Sequence, residues 1–375
     1  MSENEIRLGV VGCGGFGLFA LQQFTQVPGV TLVGLAGTHQ PASLAAAARF
    51  GVVNDDDVGA LFRRDDVNAV YIATPPFLHH AQAMAALNAG KHVIVEKPLA
   101  MSVAEADELV AVAKSRDLLL VANLMQRYNP LFDAVRRLVE TKVLGEFLHG
   151  TFENYASDEN LAAEHWFWDR SKSGGIFIEH GVHFFDLFEG WLGAGRLESA
   201  QVGVRPGTAI EEHVNCTVRY GETALVNFYH GFHQAGRMDR QQLRLVFERG
   251  ELTLYDWVPT RVRLRALVDE RQTRTLCEIF PAAKIDVSAS YGGANRSCRG
   301  RGQAIDAYQL IEMSAGDGQE KSPLYCQLLR SMLEDQLAWV DDRAHRRVMT
   351  EVNGRDSLAT ACLADTLAHP VEARR

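Results

Sequence analysis

The chain has 375 residues, of which 47% are hydrophobic and 23% are charged, and its formal net charge is -9 at pH 7. That length allows two or three domains with a large buried core, and the composition is that of an ordinary globular protein. The acidic balance gives no reason to expect a nucleic acid or a membrane as partner, and no apolar run is long enough to span a bilayer.

The six cysteines form no C-x-x-C pair, and their spacing suggests neither a zinc site nor a disulfide framework. The short polar start, Met1–Arg7, lacks the pattern of a signal peptide. Both observations favour a soluble cytoplasmic protein with reduced thiols.

The first third of the chain alternates short apolar runs with alanine-rich helical segments. The apolar runs are Leu8–Val11, Val30–Ala36, Ala69–Ala73, His92–Val95 and Leu118–Ala122. The helical segments between them are Ser43–Phe50, Ala81–Ala89 and Val103–Ser115. This order predicts a parallel sheet covered on both faces. We therefore expect residues 1–123 to form a doubly wound Rossmann domain of the α/β class.

The pattern changes from residue 124 onward, after which a helix is predicted near Asn129–Thr141. Alternating segments then predict a large, mostly antiparallel open sheet. These segments are Glu146–Tyr155, Glu198–Val204, Asn215–Arg219, Ala224–His230, Leu243–Glu248 and Gly250–Trp257. Further helices are predicted at Ile176–Trp191, Pro323–Asp342 and Gly354–Ala368, and the glycine-rich stretch Ser288–Gly318 is interpreted as a loop or flexible insertion.

Residues 124–375 are thus expected to form a second domain, of the α+β class. Its last helix, near residues 354–368, is a candidate to pack back on the N-terminal domain.

A glycine loop follows the first predicted strand and opens a helix, with the spacing G-x-G-x-x-G. It consists of Gly12, Cys13, Gly14, Gly15, Phe16 and Gly17. Glycines at these places permit a tight turn and a close approach of the backbone to a pyrophosphate, which the helix N-terminus attracts. The position in the first βαβ unit favours dinucleotide binding over a purely structural turn.

The nature of the dinucleotide is less clearly specified. An NAD-type acidic residue is expected about 20 residues after the glycines, but no Asp or Glu occurs from Ile6 to Asn54. Thr38 and His39 stand at that place and could meet a 2′-phosphate, or His39 could be an exposed loop residue. We expect NADP or NAD as cofactor, with NADP preferred.

Glu96, Lys97 and Pro98 follow the fifth predicted strand, at the sheet edge where open α/β sheets bind ligands. A lysine there could stabilise a developing alkoxide, although the same tripeptide taken alone is typical of a solvated turn.

Together, several motifs resemble those of the glucose–fructose oxidoreductase/inositol dehydrogenase (Gfo/Idh/MocA) family. The resemblance is strong over residues 6–190 and weaker over 200–320. The motifs are the glycine loop, Thr74-Pro75-Pro76 with His79, Gly90-Lys91-His92, Glu96-Lys97-Pro98, Arg127-Tyr128-Asn129-Pro130, Gly174-Gly175 with Glu179, Gly181, His183 and Asp186, and Asn353-Gly354.

The resemblance implies that Lys97 contacts the reacting hydroxyl and that His183 is the acid/base, a task that suits an imidazole. Glu179 stands where the family usually has Asp, and Ser173 where a third glycine is common. If the segment is a continuous helix, Glu179, His183 and Asp186 share one face. The resemblance also implies cofactor contacts from Thr74, Pro75, His79, Glu96, Lys97 and Arg127.

The candidate substrate-binding residues combine aromatic and polar groups, as sugar pockets do. They are Lys97, Tyr155, His165, Trp166, Glu179, His180 and His183. Aromatic stripes are often core instead, and both His180 and His183 could be histidines at the edge of the core. A metal held by Glu179, His180 and His183 is conceivable, but we expect none, since the chemistry requires none.

The leading hypothesis is an NAD(P)-dependent dehydrogenase or reductase that moves a hydride between nicotinamide and a secondary alcohol or ketone of a sugar, cyclitol or polyol. The alternatives are a catalytically silent NAD(P)-sensing regulator of the same fold, and a dehydrogenase of a non-sugar substrate. From the resemblance we also expect a homodimer or homotetramer formed through the open sheet.

Overall fold

The computed structural model describes residues 5–37, 40–55 and 57–370. The described chain separates into two compact units. The first comprises the described residues of Met1–Tyr128, Ala163–Asp186 and Tyr325–Thr366. The second comprises those of Asn129–Ala162, Leu187–Leu324 and Leu367–Arg375. The predicted domain division at residues 123 and 124 stays a prediction.

The helices, numbered in chain order, are α1 Gly15–Phe24, α2 Gln40–Phe50, α3 Val58–Arg63, α4 His79–Asn88, α5 Val103–Ser115, α6 Pro130–Thr141, α7 Arg170–Ser173, α8 Val182–Leu192, α9 Glu270–Ile279, α10 Lys321–Asp341 and α11 Glu351–Ala368.

The strands are β1 Ile6–Val11, β2 Val30–Ala36, β3 Val53–Asn54, β4 Ala69–Ile72, β5 His92–Val95, β6 Leu120–Ala122, β7 Phe147–Ser157, β8 Gly195–Val204, β9 Glu211–Tyr220, β10 Ala224–Gln234, β11 Arg240–Phe247, β12 Gly250–Tyr255, β13 Arg261–Val268, β14 Lys284–Ser290, β15 Ser297–Gly300, β16 Gln303–Asp306 and β17 Gln309–Ala315.

The first unit is built on a parallel sheet with the strand order β3-β2-β1-β4-β5-β6. Its central strands are apolar on both faces, and every residue of β4 is buried. This confirms the predicted Rossmann sheet. The glycine loop follows the carboxyl end of β1, and Lys97 follows the carboxyl end of β5. Both therefore lie at the same edge of the sheet.

The second unit contains a nine-stranded sheet in the order β14-β17-β13-β12-β11-β7-β10-β9-β8. Only the β7–β10 pair is parallel, which confirms the predicted large, mostly antiparallel sheet. Buried and half-exposed residues alternate along β7 and β9, as expected for a sheet with one packed face. Phe188 packs edge-on against Phe228 of that face.

The interpretation of Ser288–Gly318 as a loop or flexible insertion is wrong. The segment contains β15, β16 and β17 together with the end of β14, and β17 is paired on both sides within the large sheet. Strand β17 has only seven residues, and its adjacent Leu310 and Ile311 interrupt the alternation of apolar and polar residues. A strand this short, with glycines nearby, shows little periodicity in the sequence.

The helix predicted at Ile176–Trp191 is also interrupted. Phe177–Gly181 forms a π-helical turn, and α8 begins at Val182. The simple α-helical spacing expected for Glu179, His183 and Asp186 therefore does not apply. Strand β13 and helix α9 were not predicted, although Asp269 and Gln272 form a capping box at the start of α9.

In the first unit, α11 packs on the end of the parallel sheet. Gly354 lies so close to β6 that a Cβ atom there would come within 2.8 Å of the Ala122 side chain. All six cysteines are free thiols. No helix of the described chain is long and apolar enough to cross a membrane.

Candidate functional site

The glycine loop forms a cradle that side chains would fill. Gly12 has φ +98°, and a Cβ atom on it would lie 2.4 Å from the Ala73 carbonyl oxygen. A Cβ atom on Gly17 would lie 2.6 Å from the Gly12 carbonyl oxygen. Gly14 and Gly15, by contrast, are exposed and border open space. The loop thus has the tight packing and the open approach that a pyrophosphate requires.

Helix α1 begins at Gly15 and has ten residues, and its N-cap, Gly14, has no side chain that could cap the first amides. The first amides of this helix are suited to an anion. The cradle therefore fits the NAD(P) cofactor that the sequence predicts. Cys13 is buried, which raises the pKa of its thiol, and Phe16 packs beside Tyr325.

The turn after β4 is tied to the turn after β5 by His79. This ring is fully buried, and its two nitrogens lie 2.7 Å from the Thr74 and Pro98 carbonyl oxygens. Burial lowers the pKa of His79. His79 thus connects Thr74 and Pro75 with the cis Lys97–Pro98 peptide. Whether these residues also contact a cofactor stays a prediction.

Lys97 is bound to Glu179. Its ammonium donates one hydrogen bond to the Glu179 carbonyl oxygen at 2.9 Å and a second, shorter one to the Glu179 carboxylate. The side chains are 17% and 11% exposed, so the ion pair is largely shielded from water. The structure thus brings together two of the three predicted catalytic residues.

The segment that carries Glu179 has an unusual backbone. Gly174 and Gly175 both have positive φ values of 82° and 92°, and they precede the π-helical turn Phe177–Gly181. Such turns are rare and often occur at functional sites. The Glu179 carbonyl that accepts from Lys97 belongs to this turn.

His180 directly follows Glu179, and His183 lies four residues after it. His183 is buried, with its ring edge-on to Phe184. Removal of the ring from water lowers the pKa of His180, and the positive charge of Lys97 lowers it further, to about 3. His180 is therefore neutral at physiological pH.

Arg127 is engaged by Asp186. The guanidinium Nε lies 2.9 Å from both carboxylate oxygens, and Nη2 donates to the Asp186 carbonyl oxygen at 3.0 Å. Asp186 is fully buried, and this burial raises its pKa against the opposing effect of Arg127. The pair ties the segment after β6 to helix α8.

The other predicted site residues that the structure describes make different contacts. His165 accepts a hydrogen bond from the Phe167 amide, with its ring beside Trp166. Tyr155 belongs to the second unit, where its ring packs on Tyr229 and under Arg240. Thr38 and His39 lie outside the described residues.

Two residues at this sheet edge were missed in the sequence. Tyr71 of β4 and Asn123, directly after β6, donate hydrogen bonds of 2.5 Å and 2.8 Å to the same carboxylate oxygen of Glu96. Burial raises the pKa of Glu96. A signal existed for Asn123, because it is the first polar residue after a buried strand that runs parallel to β5.

Family models match two stretches of the chain. Residues 6–124 match the model described as "Oxidoreductase family, NAD-binding Rossmann fold", and residues 132–253 match the Gfo/Idh/MocA C-terminal domain.

Among curated proteins, the chain is similar to dTDP-3,4-didehydro-2,6-dideoxy-alpha-D-glucose 3-reductase of Actinomadura kijaniata, with 37% identity over 146 residues. That alignment covers 39% of this chain and 44% of the relative. The chain is also 26% identical to scyllo-inositol 2-dehydrogenase (NAD(+)) of Bacillus subtilis over 194 residues, which cover 51% of this chain and 55% of the relative. The chain thus spans about half the length of these two relatives.

A solved 3-ketoreductase from Actinomadura kijaniata, in complex with NADP and TDP-benzene, superimposes with a TM-score of 0.72. The sequences are 21% identical, and the match covers 97% of each chain. At that identity the likeness shows the shared fold. With both of its family domains matched, the chain belongs to the Gfo/Idh/MocA oxidoreductase family.

Proposed function

We propose that the protein is an NAD(P)-dependent oxidoreductase that interconverts a secondary alcohol and a ketone on a sugar, cyclitol or related polyol. The observation that carries this proposal is the Lys97 ammonium, fixed by Glu179 at the carboxyl edge of the Rossmann sheet. Membership of an oxidoreductase family and the open glycine cradle support it.

The cofactor would be held by the glycine loop, from Gly12 to Gly17, with its pyrophosphate at the start of α1. When bound, NAD(P) supplies or accepts the hydride. We retain NADP as the preferred form, because β2 is followed by no acidic residue before Asp55. The Thr74–Pro75 turn and Glu96 are proposed to contact the nicotinamide half.

Lys97 is proposed to stabilise the reacting oxygen. An ammonium has three N–H donors, and among the described residues Glu179 accepts two of them. The third is left for a substrate oxygen. The positive charge would stabilise an alkoxide as the hydroxyl loses its proton.

His183 is proposed to accept that hydroxyl proton in the oxidation direction and to return it in the reduction direction. Glu179 acts by holding the ammonium of Lys97, and it differs by one methylene from the Asp that is usual in the family. His180, His165, Trp166 and Tyr155 are kept as candidate contacts for the substrate. A substrate with several hydroxyls suits this mixture of aromatic and polar groups.

The names of two relatives support the proposed class of substrate. One reduces a dTDP-linked keto-sugar and another oxidises scyllo-inositol, according to their names. We accordingly propose a sugar or cyclitol, free or nucleotide-linked, as substrate. We also propose a homodimer or homotetramer formed through the outer face of the large sheet, which sedimentation of the purified protein would test.

The function is tested in two steps. The purified protein is first titrated with NADH and NADPH, with fluorescence as the readout. A panel of polyols, keto-sugars and nucleotide-linked keto-sugars is then screened by absorbance at 340 nm. Binding of a reduced dinucleotide with turnover of one substrate class is the expected result. Binding without turnover across the panel would favour a cofactor-sensing protein instead.

A further inference from the structure

In the side-chain amide of Asn123, the nitrogen makes a hydrogen bond within the described chain and the oxygen does not. Its Nδ2 donates to the Glu96 carboxylate at 2.8 Å. Its Oδ1 is buried, and no residue of the described chain donates a hydrogen bond to it. Asn123 is only 2% exposed, so solvent hardly reaches the amide. Buried acceptors in folded proteins nearly always have a donor, and one left unsatisfied destabilises the protein.

The orientation of this amide is fixed by its neighbours. The Glu96 oxygen that accepts from Nδ2 also accepts from the Tyr71 hydroxyl, at 2.5 Å. An oxygen that receives two donors acts as an acceptor, so the amide turns its NH2 group toward Glu96. The Asn123 amide nitrogen of the backbone is bound to the Val95 carbonyl oxygen at 2.8 Å. Both hydrogen bonds hold the residue beside Glu96 and leave Oδ1 at the far end.

The sheet topology places Asn123 on the nicotinamide side of the proposed cofactor. The glycine loop follows β1, and the strand order runs from β1 through β4 and β5 to β6. A dinucleotide on such a sheet places its adenosine half toward β2 and its nicotinamide half toward β4 and beyond. Asn123 directly follows Ala122, which pairs with Val95, the residue before Glu96.

We propose that Asn123 Oδ1 accepts a hydrogen bond from the carboxamide N–H of the nicotinamide. The inference rests on the proposed function, since it requires an NAD(P) cofactor. The carboxamide is the donor group at the outer end of the nicotinamide half, and an amide oxygen is its natural acceptor. Asn123 thereby orients the nicotinamide ring by its carboxamide.

The test compares dinucleotides by calorimetry, without turnover. The nicotinamide and thionicotinamide forms both keep the N–H, whereas the 3-acetylpyridine form replaces it with a methyl group. Wild type is expected to bind the first two about five- to tenfold more tightly than the third, as one hydrogen bond allows. Asn123→Ala should bind all three with affinities within about twofold.

Tyr71→Phe is the matched control, because it removes the other hydrogen bond to Glu96 and keeps Asn123. This variant should retain the preference of wild type for the N–H forms. The inference is overturned if Asn123→Ala keeps the preference, or if wild type shows none while binding the natural dinucleotide. Wild type that binds no dinucleotide would contradict both the proposed function and this inference.

Discussion

Lys97 and Glu179 are 82 residues apart in the chain, and the ammonium of the first donates to both the carboxylate and the backbone carbonyl of the second. One residue thus fixes the position and balances the charge of the lysine. The carbonyl oxygen that accepts the backbone hydrogen bond belongs to a π-helical turn, so this irregular turn positions the acceptor of Lys97. This relationship gives the proposed site its most direct predictions.

The first prediction concerns the carboxylate of Glu179. Glu179→Gln keeps the backbone bond to Lys97 and removes the opposite charge, so the ammonium is held less firmly. We expect kcat/KM to fall by about ten- to 100-fold, with cofactor affinity nearly unchanged. Glu179→Asp, the residue usual in the family, should retain more activity than Gln. Equal rates for Gln and wild type would show that the charge of Glu179 has no role.

A second prediction concerns Arg127 and Asp186, whose side chains are 12% and 1% exposed. Arg127→Met leaves a buried carboxylate without its partner, which should cost about 3–5 kcal/mol of unfolding free energy. The double variant Arg127→Met/Asp186→Leu should lose less than the single variant. Urea denaturation of both variants and wild type measures this. Additive losses in the double variant would rule out the pairing.

Helix α11 provides a test of packing. A methyl group at Gly354 would lie 2.8 Å from the Ala122 side chain and 3.4 Å from that of Leu99. Overpacking in Gly354→Ala should lower the unfolding free energy by about 1–3 kcal/mol. The higher helix propensity of alanine raises it by only about 1 kcal/mol, so we expect a net loss of stability. Val352→Ala, on the exposed side of α11, is the control and should change stability by less than about 1 kcal/mol. A more stable Gly354→Ala variant would contradict the close packing.

The sequence predicted the parallel sheet well and the site contacts poorly. Strand β5 and helix α5 have the predicted bounds because the apolar runs and the cap at Ser102 are local signals. The contact of Lys97 with Glu179 is a tertiary one, and nothing in the neighbouring sequence encodes it. The π-helical turn also escaped prediction, because hydrophobic spacing does not distinguish it from an α-helix. Strand β13 was missed although arginines alternate with apolar residues along it.

His180 contributes to the pH dependence of stability. Burial and the charge of Lys97 lower its pKa from 6.5 to about 3. Below pH 6.5 the unfolded chain binds a proton that the folded chain excludes, so the unfolding free energy falls as the pH falls. The loss is at most about 1.4 kcal/mol per pH unit for this residue. It should continue until the pH nears the pKa of His180 in the folded protein.

The measurement is urea unfolding of wild type and His180→Gln between pH 7.5 and pH 4.5. Since glutamine does not titrate, the variant should lose stability less steeply than wild type. Parallel curves would show that His180 binds its proton equally well in the folded and unfolded protein.

The central claim is that Lys97 acts on the reacting oxygen and is not needed to bind the cofactor. The direct measurement is turnover of Lys97→Ala at 340 nm on the substrate found by the screen, together with its dissociation constant for the reduced dinucleotide. Lys114→Ala, a change at an exposed lysine, serves as the control. We predict a loss of turnover of at least about 100-fold for Lys97→Ala, with cofactor affinity within about threefold of wild type. Turnover near the wild-type rate would contradict the account.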